Sequence, residues 1–210
     1  MSNKKKFDLP GKTVERLSKY RRVLFDRIGE GKINIYSHEL AGMMNLTSVQ
    51  VRRDLMLIGY SGSQSTGYAI KDLIEVIGSI MDSNEGERIA IIGMGDLGRS
   101  ITNYFKGKRE KLEIVASFDN NPKKIGRKIA GVPCYDENEM TEIIKNENIS
   151  IAVITVPSEA TKLVAQKLLQ TGIKGILNFT SEPLTVPEGV YLEEYDIITS
   201  LEKLAYFVNK

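Results

Sequence analysis

Gly93, Gly95 and Gly98 in "GMGDLG" follow the apolar run "RIAII" and precede the helix-compatible stretch "DLGRSITNYF". Glycines at this spacing between a strand and a helix can hold a pyrophosphate. The first permits a tight turn, the second lets backbone approach the phosphates, and the third lets helix and strand pack closely. The phosphates would sit against backbone N–H groups at the positive end of the helix dipole. A second strand-like stretch, "LEIVASFD", ends at Asp119, 21 residues after Gly98. A carboxylate there accepts from ribose hydroxyls and repels a 2′-phosphate, favouring NAD over NADP. The nearby Lys123 and Lys124 soften that preference. The candidate cofactor residues are thus Gly93, Met94, Gly95, Asp96, Leu97 and Gly98 in the turn, with Asp119, Asn120 and Lys123 beside the ribose. Thr155, Val156 and Pro157 in "TVPSEA", and Asn178 and Phe179 in "LNFTSEP", end two further strands. They would lie over the same crevice.

A different chemistry is written into "LTSVQVRRDLMLIG". Thr47 suits an N-cap, with Gln50 three residues later at the capping-box spacing. Val51, Leu55 and Ile58 stand at i, i+4 and i+7 and bury one face, so Ser48, Gln50, Arg52 and Arg53 lie largely off it. A short helix capped by Ser37 precedes this one, and Asn45 breaks the chain between them. Such a helix-turn-helix lays its second helix in the major groove of DNA. There an Arg pairs with guanine O6/N7 or contacts phosphate. Thr47, Ser48, Gln50, Arg52 and Arg53 are the candidate contacts. The alternative is a solvated basic face on an ordinary helical domain. The stretch "GYSGSQSTGYAI" then reads as a hairpin or loop in the position of a wing, with Gln64 and Ser65 near its tip. Lys4, Lys5 and Lys6 would add phosphate contacts from a flexible arm.

The elements that must position these residues fall into two groups. Residues 1–53 hold 12 Lys/Arg against 5 Asp/Glu, and the remainder holds 17 against 22. A basic quarter on a mildly acidic remainder points to two domains with different partners, the basic one facing a polyanion. Residues 1–12 read as disordered. A helix from Thr13 carries Val14, Leu17, Tyr20, Leu24 and Ile28 at helical spacings and stops at Gly29 and Gly31. "KDLIEVIGSIMD" reads as another helix, and "SNEGE" as a linker near residue 84. From Glu87 strand and helix alternate. Strands are expected at 88–93, 112–118, 132–135, 151–155, 174–179 and 190–193, and helices at 96–106, 137–147, 158–171 and 197–208. Continuous apolar strands such as "SIAVITV" imply a parallel sheet covered on both faces. The expected fold is α/β: a winged helix-turn-helix domain over 1–84, a doubly wound parallel-sheet domain over 85–194, and a C-terminal helix over 195–210.

Several function classes find no support. No apolar stretch approaches the ~18 residues of a membrane span, and no signal peptide opens the chain, so a cytoplasmic location is expected. Cys134 is the only cysteine; it reads as a packed residue without a disulfide partner. No cluster of His, Cys and acids marks a metal site. The only histidine, His38, lies outside the dinucleotide stretch and reads as a partly exposed helix residue. No catalytic residue is therefore assigned. A small NAD-dependent oxidoreductase with a helical appendage stays open, as does a nucleotide-binding module like the CoA-binding domains of acyl-CoA ligases.

Taken together, "LTSVQVRRDL", "GMGDLGRS", "FDNNPKKIG", "TVP" and "GIKGILNF" resemble, in this order and spacing, the Rex family of bacterial redox-sensing transcriptional repressors. The resemblance runs from about residue 13 to 208. It implies a homodimer of winged-helix and Rossmann domains whose last helix crosses to the partner subunit. It further implies that NAD⁺ permits binding to palindromic operator DNA and that NADH closes the dimer and releases it. By motif match, Arg53 would read bases and Arg52 would touch phosphate. Tyr104, Asp196 of the partner chain and Arg22 would link the nicotinamide pocket to the DNA domain. One departure stands out: the family wing carries a basic residue and a Gly-Val-Gly-Tyr run, whereas here only Gly67 and Tyr68 keep that pattern.

Overall fold

Apolar spacing and backbone punctuation account for the first compact unit, which ends at Ser83. The computed structural model describes residues 8–209. Helix α1 (Gly11–Gly29) begins directly after Pro10, two residues earlier than the sequence pattern indicates, because the Pro10 carbonyl accepts from Thr13 N at 2.8 Å. It buries Leu17, Tyr20 and Leu24. Helix α4 (Ile70–Met81) brings Ile70, Leu73 and Ile77 to the same core. Between them run β1 (Asn34–Ile35), α2 (Ser37–Gly42), α3 (Ser48–Leu57) and β2 (Tyr68–Ala69). Strand β1, which no alternation announces, pairs antiparallel with β2. Ser37 is the first helical residue of α2 rather than its cap. Tyr36 takes the cap position, and its N–H donates to Glu39 Oε2 at 2.8 Å. Asn45 turns the chain into α3 in the left-handed region, at φ 52°. The three-lysine arm lies outside the described residues.

The second unit, from Asn84, is built on a sheet. Its elements are β3 (Glu87–Ile92), α5 (Asp96–Phe105), β4 (Leu112–Asp119), β5 (Lys128–Ile129), β6 (Val132–Asp136), α6 (Met140–Asn146), β7 (Ile149–Ile154), α7 (Ser158–Leu169), β8 (Gly175–Asn178), β9 (Tyr191–Glu194) and α8 (Ile197–Val208). A single 3₁₀ turn, Glu137–Glu139, leads into α6. The strand order is β5-β6-β4-β3-β7-β8-β9, parallel throughout except for β5 against β6. Ala90 and Ile92 pack into one apolar layer and Ile89 and Ile91 into the other. Both faces of the sheet are covered, which is why its strands read as unbroken apolar runs. From β3 the chain winds outward to β4 and β6 on one side, then returns to lay β7, β8 and β9 on the other. The carboxyl ends of β3 and β7 therefore border the switch point where open α/β sheets bind ligands.

Helix α8 differs from every other long helix in that none of its residues is buried. Ile197, Ile198, Leu201 and Leu204 are each about half or more exposed.

Candidate functional site

At the carboxyl end of β3 the glycine turn is held by its neighbours. Gly93 adopts φ +97°, and a Cβ there would meet the Thr155 carbonyl at 2.9 Å. A Cβ on Gly98 would stand 2.1 Å from the Gly93 carbonyl oxygen, so only glycine lets α5 lie this close to β3. Thr155 Oγ1 donates to the carbonyls of Gly93 at 2.7 Å and Ile92 at 3.1 Å, tying the ends of β3 and β7 together. Gly95 behaves differently: a Cβ there would meet nothing within 4 Å. It occupies the N-cap of α5, and no side chain caps that helix. The first-turn N–H groups of α5 thus have no side-chain acceptor and border open space, the arrangement that receives an anion. These residues fit a dinucleotide pyrophosphate.

The ribose side is more occupied than the sequence implies. Asp119 is buried and accepts from Met94 N at 2.8 Å, Asn121 N at 2.9 Å and Lys124 Nζ at 2.7 Å. Burial pushes its carboxyl up, but the Lys124 ammonium and the two N–H groups outweigh that and hold it below the usual carboxylate range. Lys124, not Lys123, is the cation that neutralises Asp119; Lys123 instead gives its N–H to Asn121 Oδ1 at 3.0 Å. Charge repulsion of a 2′-phosphate is weakened accordingly. Oδ1 accepts only one of these bonds and keeps acceptor capacity for a hydroxyl. Met94 is buried and spends its N–H on Asp119, so its part is structural. Asp96 pairs with Arg99, Leu97 is 40% exposed, and Asn120 is exposed.

Of the covering loops, Val156 is half-buried and Pro157 caps the start of α7. Asn178 is fully buried with its amide consumed: Nδ2 donates to the Glu182 carbonyl at 2.8 Å, and Oδ1 accepts from Thr180 N at 3.0 Å. It shapes the loop instead of facing a ligand. Phe179 is half-buried and packs on Tyr195, with ring centroids 5.5 Å apart.

In the first unit, Thr47 caps α3 by accepting from Gln50 N at 3.1 Å. Gln50 does not return the bond. Its side chain donates to Asp54 Oδ1 at 2.9 Å, which draws it inward from the exposed face. Asp54 is fully buried yet fully paired: Arg16 reaches it through two bonds, at 2.6 and 2.8 Å, and Tyr20 Oη donates at 2.7 Å. Burial raises the Asp54 carboxyl and these donors lower it further than burial raises it. The pairing locks α3 against α1. Arg52 and Arg53 are exposed, and Arg52 donates to Ser37 Oγ at 3.2 Å, while Ser48 is half-buried. Among the described residues Arg53 makes no hydrogen bond or ion pair, so its guanidinium is available.

Similarity to known proteins favours one of the readings. A putative DNA-binding N-terminus model matches residues 8–55, and a CoA-binding domain model matches 84–182. The redox-sensing transcriptional repressor Rex of Lactobacillus acidophilus is 34% identical over 97% of this chain and 97% of its own. Its counterpart in Anoxybacillus flavithermus is 35% identical over 96% and 94%. The crystal structure of RSP in complex with β-NAD⁺ and operator DNA superposes with a TM-score of 0.88, at 31% identity over 96% of this chain and 93% of that one. RSP in complex with β-NADH gives 0.83 at 30% identity, over 96% of this chain and 95% of that one.

This chain belongs to the Rex family.

Family membership sharpens what is particular here. The Rex wing of this chain is the hairpin around the Ser63–Gly67 bridge, with Ser63 and Gly67 exchanging backbone bonds at 2.9 Å. Gly67 sits at φ +73°, where a Cβ would lie 2.6 Å from the Ile35 carbonyl. The exposed tip, Gln64 to Thr66, carries no cation. It is braced by Ser63 and Ser65 hydroxyls 2.8 Å apart and by Tyr36 Oη donating to the Ser65 carbonyl at 2.7 Å.

The switch candidates Tyr104 and Asp196 belong to the second unit. Arg22 is exposed on α1, in the other unit. Tyr104 is 68% exposed, eight residues beyond the start of α5 at Asp96, about 12 Å along the axis. Asp196 caps α8, accepting from Ile198 N at 2.9 Å and Thr199 N at 3.3 Å, a role motif matching does not assign. Tyr104 and Lys108 have the Tyr-x-x-x-Lys spacing of proton-donating pairs in hydride-transfer enzymes. Lys108 Nζ, however, lies over the ring face, 3.2 Å from its centroid. His38 is exposed and stacks on Tyr36. Cys134 is buried, and burial pushes its thiol up. Among the described residues no helix is long and apolar enough to cross a membrane, and no acid–His–Cys group is placed to hold a metal.

Proposed function

We propose that this chain is a DNA-binding repressor whose operator occupancy follows the NADH/NAD⁺ ratio in the cytoplasm. One observation carries the reading: a single Rex-family chain joins a capped helix offering exposed cations to DNA with a helix whose first-turn N–H groups have no side-chain cap and face a pyrophosphate. When bound, the cofactor supplies a nicotinamide ring that is charged in one redox state and neutral in the other. This chain does the rest. The α5 N-terminus and Gly95 hold the phosphates, Asp119 accepts from the ribose, and Thr155 keeps the two strand ends together. Arg53 pairs with a base edge and Arg52 with phosphate. Arg22, Tyr104 and Asp196 of the partner subunit carry the redox difference between the units. To control occupancy, the two cofactor forms must favour different arrangements by ~1–3 kcal/mol of coupling.

A sensor fits better than an enzyme because the lysine of the Tyr104–Lys108 pair stacks on the ring and the pair stands away from the glycine turn. A screen of small carbonyls is expected to show no NADH oxidation. Turnover of any of them would favour the oxidoreductase reading.

The bare apolar surface of α8 calls for a second copy of this chain, which matches the two-fold symmetry of a palindromic operator. Removing the residues after Glu194 should leave monomers or aggregates by light scattering. A stable dimer would remove α8 from the interface. The function itself is tested by fluorescence anisotropy of a palindromic duplex at fixed salt, since phosphate contacts make affinity salt-dependent. Binding is expected with NAD⁺ and release on adding NADH; an unchanged signal would contradict the reading.

A further inference from the structure

The exposed face of α3 is not purely basic. Val49, Arg52, Arg53 and Met56 stand at i, i+3, i+4 and i+7, which places them on one face. Val51 and Leu55 take the other face and are fully buried. Val49 is 58% exposed and Met56 73%, and with the two arginines they line one shallow concavity of about 490 Å³. A scattered surface valine is ordinary. This one shares a stripe with the two cations assigned to DNA, on the helix that enters the groove. Gln50, the polar residue next to Val49, is turned toward buried Asp54.

The major groove of DNA offers one apolar feature, the C5 methyl of thymine. Recognition helices of this kind point their N-terminal residues at the base edges. Val49 is the second residue of α3, whereas Met56 lies about 10 Å further along the axis, toward the backbone side. A valine is also stiff at χ1, so it loses little freedom on contact. We infer that Val49 reads a thymine methyl in each half-site, next to the base taken by Arg53. Val49 then disfavours cytosine at that position, and Arg53 supplies the polar half of the same readout. The inference rests on the DNA-reading role proposed above.

The test uses the full-length protein with NAD⁺ and a duplex that the wild-type protein enriches from a randomised library. Each thymine of one half-site is replaced in turn by deoxyuridine, which removes only the methyl. Wild type should lose about fourfold in affinity at one thymine, the value of burying one methyl group. Val49→Ala, carried by both subunits, should bind the unmodified duplex about 16-fold more weakly, about fourfold for each half-site. It should be indifferent to deoxyuridine at that thymine, with an unchanged melting temperature because the side chain is exposed. If no duplex is enriched, the DNA-reading role itself fails. If a duplex is enriched but wild type ignores every thymine methyl, or Val49→Ala keeps the sensitivity, the role of Val49 alone is overturned.

Discussion

Helices α3 and α5 begin in opposite ways. The N-terminus of α3 is closed by Thr47, which takes up a backbone N–H, and the helix presents side chains to its surroundings. The N-terminus of α5 is left without a side-chain cap at Gly95, and that helix presents its backbone. The difference matches what each must recognise. A base sequence is read by the donors, acceptors and methyls of particular side chains. A pyrophosphate is the same in every dinucleotide and needs only N–H groups and close approach. Each helix also leans on a buried aspartate, Asp54 for α3 and Asp119 beside the α5 turn. Asp54 is spent wholly within the protein, while Asp119 keeps acceptor capacity at the edge of the crevice.

The sharpest break in that comparison is at Asp54. Asp54→Ala strands Arg16 beside a buried tyrosine and should cost the winged-helix unit about 3–5 kcal/mol in denaturant unfolding. DNA binding should fall while cofactor binding to the other unit persists. Both aspartates also set an acid limit. Their folded-state pKa values lie below the ordinary value, so their contribution is present above the unfolded pKa and is lost as pH falls through the folded one. Denaturant unfolding followed by circular dichroism should therefore show the stability of both units starting to fall below about pH 4 and falling further at lower pH. Replacing Asp54 by Asn should flatten that dependence for the first unit.

The glycines separate fold from binding. Gly98→Ala forces a Cβ onto the Gly93 carbonyl and should destabilise the sheet unit by about 3 kcal/mol, the upper range of overpacking. Gly95→Ala meets no protein atom and should leave the melting temperature nearly unchanged. Its methyl occupies the phosphate approach, so NADH affinity by calorimetry should drop by about tenfold or more. Equal effects on stability would erase the distinction.

How much of this was legible beforehand depended on what each residue answers to. The glycine turn, the sheet and the apolar stripes of α1, α3 and α4 follow from local periodicity, and the family motifs fixed the order of the two units. Strand β1 escaped because two residues are too few to show alternation; it exists only through its partner β2. The lock of Arg16 on Asp54 joins positions 38 apart, and no spacing rule reaches that far. Nothing in the local sequence singles out Asp54, since its burial comes from its partners Arg16 and Tyr20 on another helix. The sequence assigns Lys123 to the ribose side, but the turn geometry brings Lys124 to Asp119 instead. Gln50, expected on the exposed face, is drawn inward by the same buried Asp54.

Smaller effects test the DNA face. Arg53→Ala should cost about 1–3 kcal/mol per half-site and relax base preference at one position in each, whereas Arg52→Ala should weaken binding evenly and lower the salt slope by about 1 per half-site. Exchanged behaviour would swap their assignments. At the neutral wing, Gln64→Lys should strengthen binding modestly and raise the salt slope by about 1. No change would show that the wing stays off the DNA. In the switch, Asp196→Asn preserves the helix cap while removing the charge, and is expected to uncouple NADH from DNA release without loosening α8.

The most direct test is reciprocity. If NADH weakens operator binding through one coupled equilibrium, the operator must weaken NADH binding by the same factor. Calorimetric titration of NADH into the protein, alone and saturated with a palindromic duplex at one salt concentration, measures that factor. Coupling predicts NADH affinity about 5- to 150-fold lower on DNA, equal to the loss of DNA affinity with NADH. Identical NADH affinity in both titrations would contradict redox control of DNA binding.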